Sequence, residues 1–282
     1  KEIRIPMPKT LVEVKGLTMV FGDKTALSGI SLDLYEDQVT VLLGPNGSGK
    51  TTLISCVEGL LSPTQGSVRV FGQNPQRDSE WKNRFGAMLQ ESKLDSDLTV
   101  YETIDKFASY YSNPLPVDQT LQTAGLTEQA RQRTHKLSGG QRKRLDFALA
   151  LVGNPDLLIL DEPTAALDQQ SRRQMWDVIR AIKDSGAGIL LTTHDLQEVQ
   201  AIFDRIVIID SGQIRLDEPG ERVRNWMKHM LIPESVSLSG SGTVEPIPAS
   251  QLSPGSMAAQ NYVRPSLSDF YDFILGGGNL DQ

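Results

Sequence analysis

Apolar and polar residues alternate along residues 11–43, and the alternation becomes the continuous apolar run VTVLL just before residue 44. Alternation with a period of two predicts half-buried strands, whereas a continuous apolar run predicts a strand covered on both faces. Three more apolar runs, LLIL, ILL and IVII, lie between residues 157 and 209. Stretches with helical periodicity separate them. We therefore predict an α/β fold with a mostly parallel sheet flanked by helices and an antiparallel β part at the N-terminus.

Helical periodicity begins directly after the first apolar run, in KTTLISCVEGLL, and dominates residues 98–136. Further helices are predicted for residues 140–153, 169–186 and 195–203. Short strands are predicted for SVRVFG and for residues 205–214, the latter as one continuous strand.

The composition changes after about Glu234, where Ser, Pro and Gly replace most large apolar residues. Such a segment is typical of a linker. Near the C-terminus, Leu267, Phe270, Tyr271 and Ile274 fall on one face of a short helix that ends at glycines. We expect a main domain over residues 8–220 and a C-terminal extension over residues 221–282.

The chain is acidic, with a formal net charge of -7. An acidic balance argues against nucleic acid as the main partner, because proteins bind the phosphate backbone through Lys and Arg. The single cysteine, Cys56, lies in an apolar stretch and is expected to be a buried small hydrophobic residue. No apolar run approaches the roughly 18 residues that a transmembrane helix needs.

Residues 44–51 match the pattern G-x-x-x-x-G-K-[S/T] between a predicted strand and a predicted helix. Glycines let the backbone N–H groups turn into one concavity, and the helix N-terminus adds partial positive charge, so the loop suits phosphate groups. Lys50 is expected at the β- and γ-phosphates and Thr51 at Mg²⁺. The expected nucleotide-binding residues are Gly44, Pro45, Asn46, Gly47, Ser48, Gly49, Lys50, Thr51 and Thr52.

Two adjacent carboxylates follow the apolar run LLIL. Asp161 ends the predicted strand, at the edge where parallel sheets bind ligands, and is expected to hold Mg²⁺. Glu162 is the candidate base for the attacking water. The alternative is that both are ordinary surface charges.

The segment LSGGQ places Ser138, Gly139, Gly140 and Gln141 at the start of a predicted helix. It could be a second phosphate site without a lysine. A bound nucleotide has a single γ-phosphate, and Lys50 already binds it. A second phosphate site in the same chain therefore indicates that this segment closes over the nucleotide bound by another copy of the chain. A simple capping turn is the equal alternative.

Taken in order, Phe21, GPNGSGKTT, Gln90, LSGGQ, LLILDEP, AALD and His194 resemble the nucleotide-binding subunit of ATP-binding cassette transporters over about residues 11–216. The resemblance implies a P-loop NTPase core, ATP and Mg²⁺ as ligands, and ATP hydrolysis. It also implies a helical subdomain at about residues 92–137.

The resemblance also implies roles for single residues. Phe21 would stack on adenine, although a core phenylalanine is the alternative. Gln90 would contact Mg²⁺ and the attacking water, and His194 the γ-phosphate. Asp168 would bridge two nucleotide-binding subunits.

The implied function is an ATPase at the cytoplasmic face of a membrane that powers export by a separate transmembrane subunit. A second nucleotide-binding subunit, either another copy or a close relative, would close with it around ATP. The residues after LSGGQ and the ending PSLSDFYDFI resemble drug-resistance-type exporter ATPases. The alternative function is a non-transport cassette ATPase in DNA repair or translation. The terminal helix could dock on its own domain, on the partner copy or on the membrane surface.

Overall fold

The computed structural model describes residues 8–88, 94–165, 167–193, 195–233, 246–251 and 262–280. Two of the predicted site residues, Gln90 and His194, lie outside these ranges. The strands are β1 Thr10–Phe21, β2 Lys24–Tyr35, β3 Val39–Leu43, β4 Gln65–Val70, β5 Phe85–Met88, β6 Leu157–Asp161, β7 Gly188–Thr192, β8 Arg205–Asp210, β9 Gln213–Pro219, β10 Met230–Pro233, β11 Ile247–Pro248 and β12 Tyr262–Val263. The helices are α1 Lys50–Val57, α2 Val100–Ala108, α3 Val117–Thr123, α4 Gly139–Leu151, α5 Gln169–Asp184, α6 Leu196–Val199, α7 Gly220–His229 and α8 Leu267–Leu275.

A six-stranded sheet forms the centre of the molecule, in the order β5-β6-β7-β3-β8-β9. The first five strands are parallel and β9 is antiparallel to β8. Every residue of β3, β6 and β7 is buried, as the continuous apolar runs predicted. Only β7 separates β3 from β6, so the loops that follow β3 and β6 leave the same edge of the sheet close together.

The central sheet is covered on both faces. One face packs against α1 and the antiparallel sheet β2-β1-β4, which confirms the predicted N-terminal β part. Cys56 of α1 is fully buried in this layer, and burial raises the pKa of its thiol to about 11. The opposite face packs against α4, α5, α7 and α8. A third apolar cluster joins α2, α3 and α4.

Residues 205–214 form a hairpin, so the prediction of one continuous strand was wrong. The chain reverses at Ser211 and Gly212, which both have positive φ, of 49° and 75°. Two such residues between paired strands are typical of a tight two-residue turn, and serine at the first of them is a weak signal for it. The helix predicted for residues 195–203 was also too long, since α6 spans only Leu196–Val199.

Helix α7 and strand β10, which precede the Ser-, Pro- and Gly-rich segment, were not predicted from the sequence. Helix α8 packs on the protein's own core: Leu267 and Phe270 are buried, and the Phe270 ring meets Trp226 of α7 edge to face at 5.1 Å. Phe273, absent from the predicted apolar face, stacks on the same tryptophan. Of the three docking sites considered for the terminal helix, its own domain is the one occupied.

In the described ranges, no helix is long and apolar enough to cross a bilayer.

The packing of α8 is open to a direct test. Phe270 is fully buried, so we expect Phe270→Ala to lower the free energy of unfolding by about 3–5 kcal/mol through the cavity it leaves. Ser268→Ala, on the exposed side of the same helix, is the matched control. Urea unfolding followed by tryptophan fluorescence measures both. Equal stability of the two variants would show that α8 does not pack on this core.

Candidate nucleotide site

The loop between β3 and α1 is shaped by glycines with no room for a side chain. A Cβ on Gly44 would lie 2.2 Å from the Ile209 carbonyl oxygen. Gly49 has a φ of 112°, and a Cβ there would lie 2.6 Å from a methyl carbon of Leu27. Strand β8, which carries Ile209, and strand β2 of the N-terminal sheet, which carries Leu27, therefore contact the loop from two sides. This tight fit holds the start of α1 against the cleft that the loop borders.

Lys50 spans this loop. Its ammonium group donates hydrogen bonds to the carbonyl oxygens of Gly44 at 2.7 Å and Pro45 at 3.1 Å. Burial lowers the pKa of Lys50, and the charges of Asp161 and Glu162 oppose that shift. The side chain is thus held inside the loop by two carbonyl groups, near two carboxylates.

A cleft of about 330 Å³ opens in front of the loop. Its walls bring together the P-loop, the two predicted carboxylates and the predicted aromatic residue. The lining residues are Phe21, Lys24, Ala26, Asn46, Gly47, Gly49, Lys50, Thr51, Thr52, Asp161 and Glu162. Phe21 is 48% exposed, which excludes the alternative of a core phenylalanine. Lys24 was not identified from the sequence, although it pairs with Phe21 across the turn between β1 and β2.

Asp161 and Glu162 are both held by Thr192 at the end of β7. The Thr192 hydroxyl donates a hydrogen bond to Asp161, whose side chain is almost fully buried. The backbone N–H of Glu162 donates to the carbonyl oxygen of Thr192 at 3.2 Å and to its hydroxyl at 3.1 Å. Sequence reasoning missed Thr192, and its position at the end of the neighbouring apolar run was the available signal.

Glu162 has a φ of 50°, in the left-handed region that a glutamate rarely adopts. Such a conformation costs of order 1–3 kcal/mol and persists only where the surroundings impose it. Here the two bonds to Thr192 impose it. The chain turns sharply after Asp161, and both carboxylate-bearing residues border the same cleft.

The LSGGQ segment lies elsewhere in the molecule. Ser138 caps α4: its hydroxyl accepts a hydrogen bond from the Gln141 N–H, and the Gln141 side chain accepts one from the Ser138 N–H. Gly139 has open space around it, and Gly140 faces Leu167. None of these residues lines the cleft, so a single chain does not bring them to the P-loop.

Asp168 caps the next helix and also lies outside the cleft. Its carboxylate accepts hydrogen bonds from the N–H of Ser171 at 2.9 Å and from the Ser171 hydroxyl at 2.8 Å. These bonds lower the pKa of Asp168. The residue is therefore ionised and fixed in orientation at the N-terminus of α5.

Comparison with known proteins identifies the family. A family model described as "ABC transporter" matches residues 27–165. The chain is 36% identical over 213 residues to the Nod factor export ATP-binding protein I of Burkholderia lata, a match that covers 73% of this chain and 70% of that protein. The chain belongs to the ABC transporter family, as an ATP-binding subunit.

Solved structures agree with this assignment. The ATP-binding subunit of an ABC transporter superposes with a TM-score of 0.71 at 26% identity, covering 77% of this chain and 93% of that one. A bacterial ABC transporter cassette solved as a dimer superposes with a TM-score of 0.66 at 25% identity, covering 74% and 98% of the two chains. The chain is thus an ABC ATPase, and the cleft in front of the P-loop is its candidate ATP site.

Glu58, at the C-terminal end of α1, is a titratable group of the ATPase that the sequence did not single out. Its Oε1 is buried and has no hydrogen-bond partner among the residues that the structure describes. Burial raises the pKa of this carboxyl from 4.5 to about 7, and the nearby charge of Asp161 contributes to the rise. The ionised form is therefore disfavoured in the folded protein.

This shift has a consequence for stability. Ionisation of Glu58 lowers the free energy of unfolding as the pH rises above about 4.5, and this decrease is complete above about pH 7. We expect Glu58→Gln to raise the free energy of unfolding by about 2 kcal/mol more at pH 8 than at pH 5.5. Urea unfolding of the nucleotide-free protein at both pH values measures the difference. The exposed Glu128→Gln should show no such pH dependence, and an equal response of both variants would contradict the assignment.

Proposed function

We propose that this ATPase binds Mg-ATP between its own P-loop and the LSGGQ segment of a second nucleotide-binding subunit, and that ATP-driven closure and hydrolysis power export through a transmembrane partner. One observation carries the proposal. The cleft gathers the P-loop, Asp161 and Glu162, whereas the LSGGQ segment presents a capped helix N-terminus away from it.

The triphosphate would lie across the N-terminus of α1. Backbone N–H groups of the loop and the Lys50 ammonium would face the phosphates. Lys50 would then replace its hydrogen bonds to backbone carbonyl groups with hydrogen bonds to charged phosphate oxygens. Phe21, half exposed at the mouth of the cleft, offers a face on which adenine can stack. Lys24 beside it adds a positive charge.

The residues of the cleft suit the Mg²⁺ ion that binds together with ATP. Thr51 and Asp161 offer a hydroxyl and a carboxylate to the same cleft, and Mg²⁺ prefers such oxygen ligands. Within the described ranges no group of three or more His, Cys, Asp or Glu side chains gathers around one point. That composition fits an ion held mainly by phosphate and water. When bound, Mg²⁺ neutralises phosphate charge. Gln90 would be a further ligand.

Glu162 would act as the base. In hydrolysis the water oxygen bonds to the γ-phosphorus while the bond to the bridging oxygen of ADP breaks, and Glu162 accepts the proton that the water loses. Glu162 lines the cleft, and Thr192 fixes the backbone turn at this residue by accepting hydrogen bonds from the Glu162 N–H. His194 would contact the γ-phosphate from the loop after β7.

The second subunit would supply the missing contacts. Its Ser138, Gly139, Gly140 and Gln141 would place the N-terminus of α4 against the γ-phosphate, where partial positive charge is favourable. Gly139 has open space around it, so a phosphate can approach the backbone there. Asp168, fixed by Ser171, would bridge the two subunits. The solved dimeric cassette of similar fold supports this arrangement.

A single substitution tests the base and the closure together. We expect Glu162→Gln to lower kcat for ATP hydrolysis by about 10²–10⁴-fold, because the amide cannot accept the proton. Binding contacts remain, so the variant should accumulate as an ATP-bound dimer. ATPase assays and size-exclusion chromatography with and without Mg-ATP measure the two effects.

Lys50→Ala is the contrasting variant, because it should weaken ATP binding itself and prevent dimerisation. An unchanged rate of ATP hydrolysis in Glu162→Gln would show that Glu162 is not the base. A monomeric Glu162→Gln variant that still binds ATP would overturn the two-subunit site.

Export is supported by the relative from Burkholderia lata, whose name describes export. The ATPase would then work at the cytoplasmic face of a membrane, with cargo contacts made by the transmembrane subunit. We expect the ATPase to co-purify with a membrane protein encoded beside it, and ATP to drive substrate out of cells that express both. Lys50→Ala co-expressed in the same way controls for passive leakage. Uptake of substrate instead of efflux would reverse the proposed direction.

A further inference from the structure

Glu198 of α6 contacts both the segment that follows Glu162 and helix α5. Its Oε2 accepts hydrogen bonds from the Thr164 hydroxyl at 3.1 Å and from the Trp176 indole N–H at 2.9 Å. Its Oε1 lies 3.0 Å from a guanidinium nitrogen of Arg172. The Glu198 side chain is only 16% exposed, so these contacts form largely away from water.

Two partners of Glu198 lie in segments that carry different proposed functional residues. Thr164 lies two residues after Glu162. Arg172 lies one helical turn after Asp168, and its guanidinium also donates to the carbonyl oxygen of Leu167 at 3.3 Å. Glu198 itself lies four residues after His194, on the short helix that Asp195 caps.

A small cavity connects this cluster to the catalytic carboxylate. Its volume is about 170 Å³, and its walls are formed by Glu162, Thr164, Ala165, Arg172, Thr193, Asp195 and Glu198. Arg172 also lies 3.5 Å from the Asp195 carboxylate at this cavity. Glu198, its partners Thr164 and Arg172, and the proposed base Glu162 therefore line the same cavity.

We propose that Glu198 is a positioning residue for ATP hydrolysis. Through Thr164 and Arg172 it keeps the segments carrying Glu162 and Asp168 in one arrangement with α6. Glu198 does not line the ATP cleft. The inference rests on the proposed roles of Glu162 and Asp168.

The physical reason is the number and kind of contacts that one carboxylate makes. It satisfies a hydroxyl, an indole N–H and a guanidinium at once, and a charged acceptor strengthens each bond. An amide at this position keeps the shape but directs N–H groups toward Arg172 or Thr164. The segments carrying Glu162 and Asp168 then lose their shared contact with Glu198, while the P-loop is unchanged. We therefore expect an effect on the chemical step and not on ATP binding.

Glu198→Gln is the central variant. We expect kcat to fall by about 10-fold, because small displacements of reacting groups have large effects on rate, while KM for ATP and the Kd for ATP in EDTA change less than twofold. Thermal unfolding should stay close to that of the unmodified protein. Glu218→Gln is the matched control, because Glu218 is buried to a similar extent and pairs with Arg222 apart from the ATP cleft.

Two further variants make the test independent of any single replacement. Thr164→Val removes one hydroxyl and should also lower kcat at constant KM. Arg172→Gln combined with Glu198→Gln should be no slower than Glu198→Gln alone, since both substitutions break the same link. Arg180→Gln controls for Arg172, because Arg180 lies on the same helix and pairs with the exposed Asp177.

Glu162→Gln measured in parallel separates this inference from the proposed function. If Glu162→Gln is inactive and Glu198→Gln retains full kcat, the positioning role is wrong and the proposed base stands. If Glu162→Gln is active, the proposed base is wrong. A Glu198→Gln variant that loses kcat, ATP affinity and thermal stability together is a structural defect and overturns the positioning role, as do additive effects of the Arg172 and Glu198 substitutions.

Discussion

Thr192 is the residue on which the geometry of the candidate ATP site depends. It ends the strand between β3 and β6 and binds both Asp161 and Glu162 through its hydroxyl and its backbone. Because parallel strands bring their carboxyl ends to one edge, this single residue lies between the P-loop and the carboxylates. Thr192 satisfies the N–H of Glu162, whose backbone has positive φ.

The same edge of the sheet explains why one chain holds half of the proposed site. The P-loop follows β3, whereas Asp161 and Glu162 lie at the end of β6, and only β7 separates these two parallel strands, so the sheet brings both to one edge. The LSGGQ segment starts a helix that packs on α2 and α3, and its capping bonds are satisfied within that helix. Capping and phosphate binding need not exclude each other, because the capped helix keeps its positive end exposed.

The C-terminal region links to this edge through its packing. Helix α8 contacts the core beside α6, the helix that carries Glu198 and follows the loop of His194. Trp226 of α7 anchors two phenylalanine rings of α8. The terminal helix therefore forms part of the scaffold behind the site, in the same apolar cluster as Val199 of α6.

The sequence by itself determined the parallel sheet, the phosphate loop and the carboxylates of β6, because each depends on a local pattern: apolar runs, closely spaced glycines and charges at a strand end. It also predicted the apolar face of α8. Its patterns did not reveal the hairpin at Ser211, since a serine rarely takes positive φ, or helix α7, whose apolar residues are few. The contacts of Thr192 and of Glu198 were decided only by the tertiary structure. The partners of these residues are distant along the chain, and no local sequence pattern indicates which side chains will come into contact.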